Sequence, residues 1–193
     1  ARSGEGRARL EKVAFKVMDE INAATPISAT SLAGFALLGA ADRGYTAAEI
    51  EAILAPLLTY IDERGLPGPD PALCRGAGLL TTLRELTATG VLTVFDGGPE
   101  QVWSVAPDNH AIAAYYRNGA LHHFVDRAIV ELGMFAVADG ALGLEELDQS
   151  GEDPVPRGFA AVGPAEALRL RDLLKFEFFF PAKREYIDRL AAE

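Results

Sequence analysis

Cysteine is almost missing from this chain. Of its 193 residues only Cys74 carries a thiol, so no disulfide can close within the chain and no zinc site can draw on two thiolates. That scarcity fits a reducing compartment. Basic residues are also short: 18 Lys and Arg stand against 28 Asp and Glu. The resulting net charge of −10 opposes unspecific attraction of the whole molecule to nucleic acid or to an anionic lipid surface. No apolar run reaches the roughly 18 residues that a membrane span needs, because Pro, Gly, Asp or Lys interrupts each candidate. The first residues, Ala1-Arg2-Ser3-Gly4-Glu5-Gly6, hold no signal-peptide core, and the missing initiator Met points to a processed chain or a fragment. There is no Gly-x-Ser-x-Gly elbow, no Gly-rich phosphate loop and no Cys/His pair in a recognisable context.

What remains is largely Ala/Leu helix, in a chain long enough to bury a sizeable core. One mainly α-helical domain over 1–193 is expected, with one small β-hairpin. From Arg7 to Ala23 the apolar residues Leu10, Val13, Ala14, Val17, Met18 and Ile21 recur at spacings of three and four, which predicts one buried helical stripe. Thr25-Pro26 stops that helix, Ser28 or Thr30 caps the next, and Leu32 to Ala41 is apolar nearly all round, as a central helix would be. Thr46-Ala47-Ala48-Glu49 is a capping box for a helix to about Arg64, which Pro56 should kink. Asp70 caps, and Pro71 opens, a helix to about Thr89.

Beyond Gly90 the period falls to two, over Val91 to Phe95 and Gln101 to Val105, with Asp96 to Glu100 between them: a β-hairpin signal. Helices in 28–70, a helix from Pro71 and this hairpin make 28–105 winged-helix-like in order. A nucleic-acid reader, however, needs cations on the exposed face of its reading helix. Between Leu79 and Val105 only Arg84 is basic, against Glu85, Asp96 and Glu100, so binding of nucleic acid is not expected. Residues 148–163 read as a flexible loop, Pro164 begins a helix to about Phe180, and Pro181 starts a terminal segment.

The densest polar and aromatic cluster runs from Asn109 to Phe124 and holds all three histidines with Tyr115, Tyr116, Arg117 and Asn118. Pro107-Asp108 starts a helix here, and Gly119 divides it from a second through about Ala138. His122 and Asp126, four apart on one helix, would share a face. Two such groups fall short of the three or four ligands zinc takes, so no metal is assigned. If any residue contacts a substrate it is Arg117, whose guanidinium fork suits a phosphate or carboxylate, with Asn118 and His122 beside it. A second cluster, Lys175 to Arg184, flanks a Phe run with cations. Phe178, Phe179 and Phe180 with Lys183 and Arg184 would suit contact with a membrane surface, although packing of the Phe rings into the core is the commoner use of such a run.

Three segments also carry a resemblance. Tyr115-Tyr116-Arg117-Asn118 followed by His122 resembles the stretch downstream of the acyltransferase domain in bacterial membrane-bound glycerol-3-phosphate acyltransferases of the PlsB type. Glu20 to Ala33 with Ala36-Leu37-Leu38 is similar to the stretch after their catalytic motifs, and Phe176 to Pro181 resembles their C-terminal Phe-rich element. The resemblance implies acyl transfer from acyl-CoA or acyl carrier protein to the 1-hydroxyl of glycerol 3-phosphate at the cytoplasmic face of the cell membrane, without a cofactor. The family's catalytic His-x-x-x-x-Asp motif is missing: five residues after His110, His122 and His123 stand Tyr115, Arg127 and Ala128. The chemistry needs a His as general base with a carboxylate to orient it. The chain is therefore expected to be the C-terminal helical region of such an enzyme, structural or membrane-docking in role and inactive alone. Its partner would be the catalytic acyltransferase domain of the same parent chain, with peripheral membrane contact. The alternative is a winged-helix-like module that binds nucleic acid or protein.

Overall fold

A computed structural model describes residues 2–39, 43–144 and 158–193. In chain order its elements are α1 (Arg2–Ala24), α2 (Ala29–Leu38), β1 (Tyr45–Thr46), α3 (Ala47–Glu63), a 3-10 turn (Pro71–Cys74), α4 (Gly76–Ala88), β2 (Leu92–Phe95), β3 (Val102–Val105), α5 (His110–Leu121), α6 (Val125–Leu144), α7 (Gly158–Leu174) and α8 (Lys183–Ala191). The mainly α class expected from the periodicities holds, with a small antiparallel sheet. The contacts gather into two compact units. One is Glu20–His123; the other joins the chain up to Asp19 with Phe124–Glu193.

In the Glu20–His123 unit, local chemistry sets the helix starts. The Ser28 hydroxyl accepts a hydrogen bond from the Ser31 amide at 3.0 Å and caps α2, which the sequence left open between Ser28 and Thr30. The Thr46–Glu49 capping box forms as expected: the Glu49 carboxylate accepts from the Thr46 amide at 2.9 Å and the Thr46 hydroxyl from the Glu49 amide at 3.3 Å. Those bonds hold the Glu49 carboxyl below its usual range, the backbone bond most of all. Helix α3 runs on through Pro56 to Glu63. Helix α2 is buried nearly all round, with Leu32 and Ala33 wholly covered, and Ile50, Leu54, Leu79, Leu83 and Trp103 fill the core beside it.

The hairpin strands β2 and β3 pair as the alternation predicted, Val94 opposite Trp103 and Leu92 opposite Val105. Strand β1, too short to show a period, adds to the far side of β3 with Tyr45 opposite Trp103, so the sheet order is β1-β3-β2. The single helix expected from Pro71 to Thr89 is broken in two. Asp70 caps only the 3-10 turn, its carboxylate accepting from the Ala72 amide at 2.9 Å; Arg75 is then extended, and Gly76 opens α4 at φ +48°. The turn folds back so tightly that a Cβ on Gly78 would lie 2.0 Å from the Ala72 carbonyl oxygen.

In the second unit, Val125, Ile129, Ala167, Phe180 and Tyr186 are buried, and the Phe180 ring meets the Tyr186 edge at 5.2 Å between centroids. Across the two units three further expectations are corrected. Helix α7 begins at Gly158 and carries Pro164 inside it, so 158–163 are helical, while 148–157 of the expected loop lie outside the described residues. Gly119 does not divide two helices: it lies within α5, and the break comes at 122–124. The α1 stripe is not buried; Leu10, Val13, Val17, Met18 and Ile21 are all exposed.

Two glycines should respond in opposite directions. Gly78→Ala forces a methyl into a backbone oxygen and should destabilise by about 3 kcal/mol. Gly119→Ala, whose Cβ would meet the Ser31 hydroxyl at an ordinary 3.5 Å inside a helix, should stabilise by about 0.5–1 kcal/mol. Urea denaturation of the two variants checks both signs. In the second unit the buried Tyr186 hydroxyl has no hydrogen-bond partner among the described residues, and burial pushes its pKa far up. Tyr186→Phe should therefore raise stability by about 1 kcal/mol in the same measurement, and a loss would show that the hydroxyl is satisfied.

Candidate functional site

The Asn109–Phe124 cluster is built around two helix ends. Asn109 precedes α5 and donates its side-chain amide to the Gly90 carbonyl at 2.6 Å, tying the start of α5 to the end of α4. At its other end α5 stops at Leu121 and the chain turns through His122 and His123. Both rings face the C-terminal end of α1, whose last carbonyls have no partner within the helix and whose last turn holds no basic residue. His122 Nε2 lies 2.6 Å from the Asn22 carbonyl oxygen and His123 Nε2 2.8 Å from that of Thr25. A carbonyl only accepts, so in each ring Nε2 carries the proton and donates it. The Thr25 hydroxyl serves the neighbouring Ile21 carbonyl at 2.7 Å. Together these groups cap α1 from outside it, as Lys or Arg in the last turn would from within.

The environment sets the charge of His122. Burial lowers its pKa below the ordinary value of 6.5, the hydrogen bond to Asn22 works against that, and the His123 ring, with its centroid 4.1 Å away, lowers it further. Burial likewise pushes the Cys74 thiol up, away from the thiolate a nucleophile would need.

The candidate residues do not converge. Arg117 turns its fork on its neighbour: Nε and Nη2 donate to the Asn118 side-chain oxygen at 3.2 and 2.9 Å. His122 instead points to α1. The face expected to join His122 with Asp126 does not exist, because α5 has ended before His122 and Asp126 lies in α6. Asp126 pairs with Arg189 at 2.7 Å; burial raises its carboxyl, and Arg189 offsets part of that rise. No group of three or more His, Cys, Asp or Glu able to hold a metal occurs among the described residues. One apolar void between Thr30, Leu37, Leu86 and Tyr116 measures about 10 Å3, room for one water at most.

The Phe run is split between core and surface. Phe180 is buried on Tyr186, whereas Phe179 is partly exposed and packs edge-on against Phe15 at 5.5 Å. Phe176 is the most exposed ring of the run. Lys183 pairs with Asp172 at 3.0 Å, and Arg184 is exposed.

The chain belongs to the glycerol-3-phosphate acyltransferase C-terminal region family, whose model matches residues 2–193. Among curated proteins it is similar to a putative acyltransferase, plsB1, of Mycobacterium bovis and of Mycobacterium tuberculosis, 38% identical over 197 residues in each. Those matches take in all of this chain and 29% of each relative, so the chain spans under a third of their length. No solved structure matches.

Removing either ring with His122→Ala or His123→Ala should cost about 1 kcal/mol, the net worth of one hydrogen bond. The pH dependence has a definite sign. The folded state binds the His122 proton less tightly than the unfolded chain, so its contribution is complete above the unfolded pKa near 6.5 and is lost as pH falls below it. His122→Gln keeps a donor but does not titrate. It should flatten the stability slope between about pH 7.5 and 5, measured by urea denaturation, and an unchanged slope would locate the titration elsewhere.

Proposed function

We propose that this chain is the C-terminal accessory region of a glycerol-3-phosphate 1-O-acyltransferase, transferring acyl groups from acyl-CoA or acyl carrier protein at the cytoplasmic face of the membrane. The reading is carried by the family match over residues 2–193, together with the missing His-x-x-x-x-Asp motif. Its own work is structural: it supports the catalytic domain and does not acylate by itself. Supporting this, the Nε2 protons of His122 and His123 are spent on backbone carbonyls, and Arg117 is spent on Asn118. Exposed Phe176 and Phe179, with Arg184 nearby in sequence, support a peripheral membrane contact.

Residues 28–105 act in this reading as a winged-helix scaffold that does not bind nucleic acid. Two observations support it. The element order is α2-β1-α3-α4-β2-β3 with sheet order β1-β3-β2, and the exposed face of α4 offers one cation, Arg84, beside Glu85.

Acylation assays separate the possibilities. The full-length parent enzyme should form lysophosphatidic acid from glycerol 3-phosphate and acyl-CoA, and the 193-residue chain alone should form none. Turnover by the chain alone that disappears in His122→Ala would overturn the structural role. A parent that acylates only other acceptors would overturn the substrate.

A further inference from the structure

We propose that α8 is a latch: docked, it covers Phe180, and an anionic lipid surface draws it off, so that Phe180 joins the exposed rings of the Phe run. The inference rests on the peripheral membrane contact proposed above and assigns its control. Two orphaned atoms mark the seat of this helix. Among the described residues, Arg171 Nε and the Tyr186 hydroxyl are the buried side-chain nitrogen and oxygen atoms without a hydrogen-bond partner. Both belong to the contact of α7 with α8, where the Arg171 guanidinium carbon lies 5.8 Å from the Tyr186 ring centre. Water would satisfy each of them, so closing α8 forfeits hydrogen bonds that opening restores.

The other ties of α8 are ones that lipid phosphates can replace. Tyr186 is its one buried residue. Beyond that anchor, Lys183 pairs with Asp172 and Arg189 with Asp126, and the two cationic side chains are 61 and 41% exposed. Ion pairs this open contribute little and weaken with salt. Arg184, exposed on the same helix, makes no ion pair among the described residues and is the first cation a phosphate can take. From Arg169 to Arg189 six Lys and Arg stand against four Asp and Glu, in a chain of net charge −10, so this stretch is where an acidic molecule can meet anionic lipid.

What the latch hides is one ring of a set. Phe176 and Phe179 are 86 and 39% exposed, whereas Phe180 is 7% exposed beneath the Tyr186 edge, with the Phe178 ring 6.4 Å from it. Lifting Tyr186 therefore adds Phe180 to rings that are already open, and aromatic rings settle at the bilayer boundary. Arg171 Nη2 donates to the Pro181 carbonyl at 2.8 Å and keeps the Phe run tied to α7 while α8 swings about Ala182.

Spin labels on the 193-residue chain test the movement, with Ala128→Cys on α6 and Asp188→Cys on α8 as exposed attachment points and the buried Cys74 left unlabelled. In buffer, electron–electron distance measurement should give one distance, that of docked α8. Vesicles of equal phosphatidylglycerol and phosphatidylcholine should add a second, longer distance, and pure phosphatidylcholine vesicles should not. Tyr186→Phe removes one orphaned atom from the docked form and should lower the ratio of long to short distances about fivefold. Arg184→Glu should leave the buffer distance as it is and abolish most of the longer population on anionic vesicles. A longer distance equally populated in buffer, or a larger share of it in Tyr186→Phe, would overturn the latch. Co-sedimentation with the same vesicles separates the two readings: binding with α8 still docked sinks the latch alone, and no binding sinks the membrane contact together with it.

Discussion

A ten-residue helix with no polar face has to be surrounded, and that requirement organises the Glu20–His123 unit. Beyond Thr30 and Ser31 in its first turn, helix α2 offers Ala, Leu, Gly and Phe on every side, so its neighbours must come close and be small where they cross it. Gly34 marks the closest crossing: a Cβ there would lie 3.3 Å from the Ala113 carbonyl oxygen of α5. An added methyl at that contact would have to push α5 outward or displace the Arg117 backbone beside it. Trp103 closes the sheet over the same core, which is why two residues of β1 are worth ordering against β3.

Helix ends make the second demand. The carbonyls at the end of α1 cannot be left dry, and the chain answers with rings from residues about a hundred positions later. Histidine suits that task at neutral pH because it donates without adding charge to a partly buried site. The other unit holds several of its charged groups in ion pairs. Asp126 reaches Arg189 and Asp172 reaches Lys183, while the Arg171 guanidinium lies 5.9 Å from the Phe180 ring centre and 5.8 Å from that of Tyr186.

Local rules were legible in the sequence wherever one turn of chain decides the outcome. The Thr46–Glu49 box, the β2-β3 hairpin and the apolar α2 all follow from neighbours within a few residues. What failed depended on distance. β1 is too short to show a period and exists only because β3 passes it more than fifty residues on. The stripe of α1 shows that the helix has an apolar face, yet periodicity cannot say what covers that face. The fracture after Cys74 comes from a positive φ at Gly76 and a backbone contact at Gly78, which a Pro-initiated helix signal outweighs on paper. For the site, the use of His122 and His123 as donors to Asn22 and Thr25 needed the fold. The family itself was legible because the strings that carry the resemblance are contiguous.

The histidine bonds also say something about how the chain is assembled from parts. Asn22 and Thr25 stand at the entrance of the Glu20–His123 unit, and His122 and His123 stand at its exit, so hydrogen bonds of 2.6 and 2.8 Å clasp its two ends together. A segment whose ends meet can be spliced into a host between two adjacent points, as inserted domains are. Its hundred residues then read as a module threaded into the helical unit that begins before it and resumes after it, with the two imidazoles as the buckle.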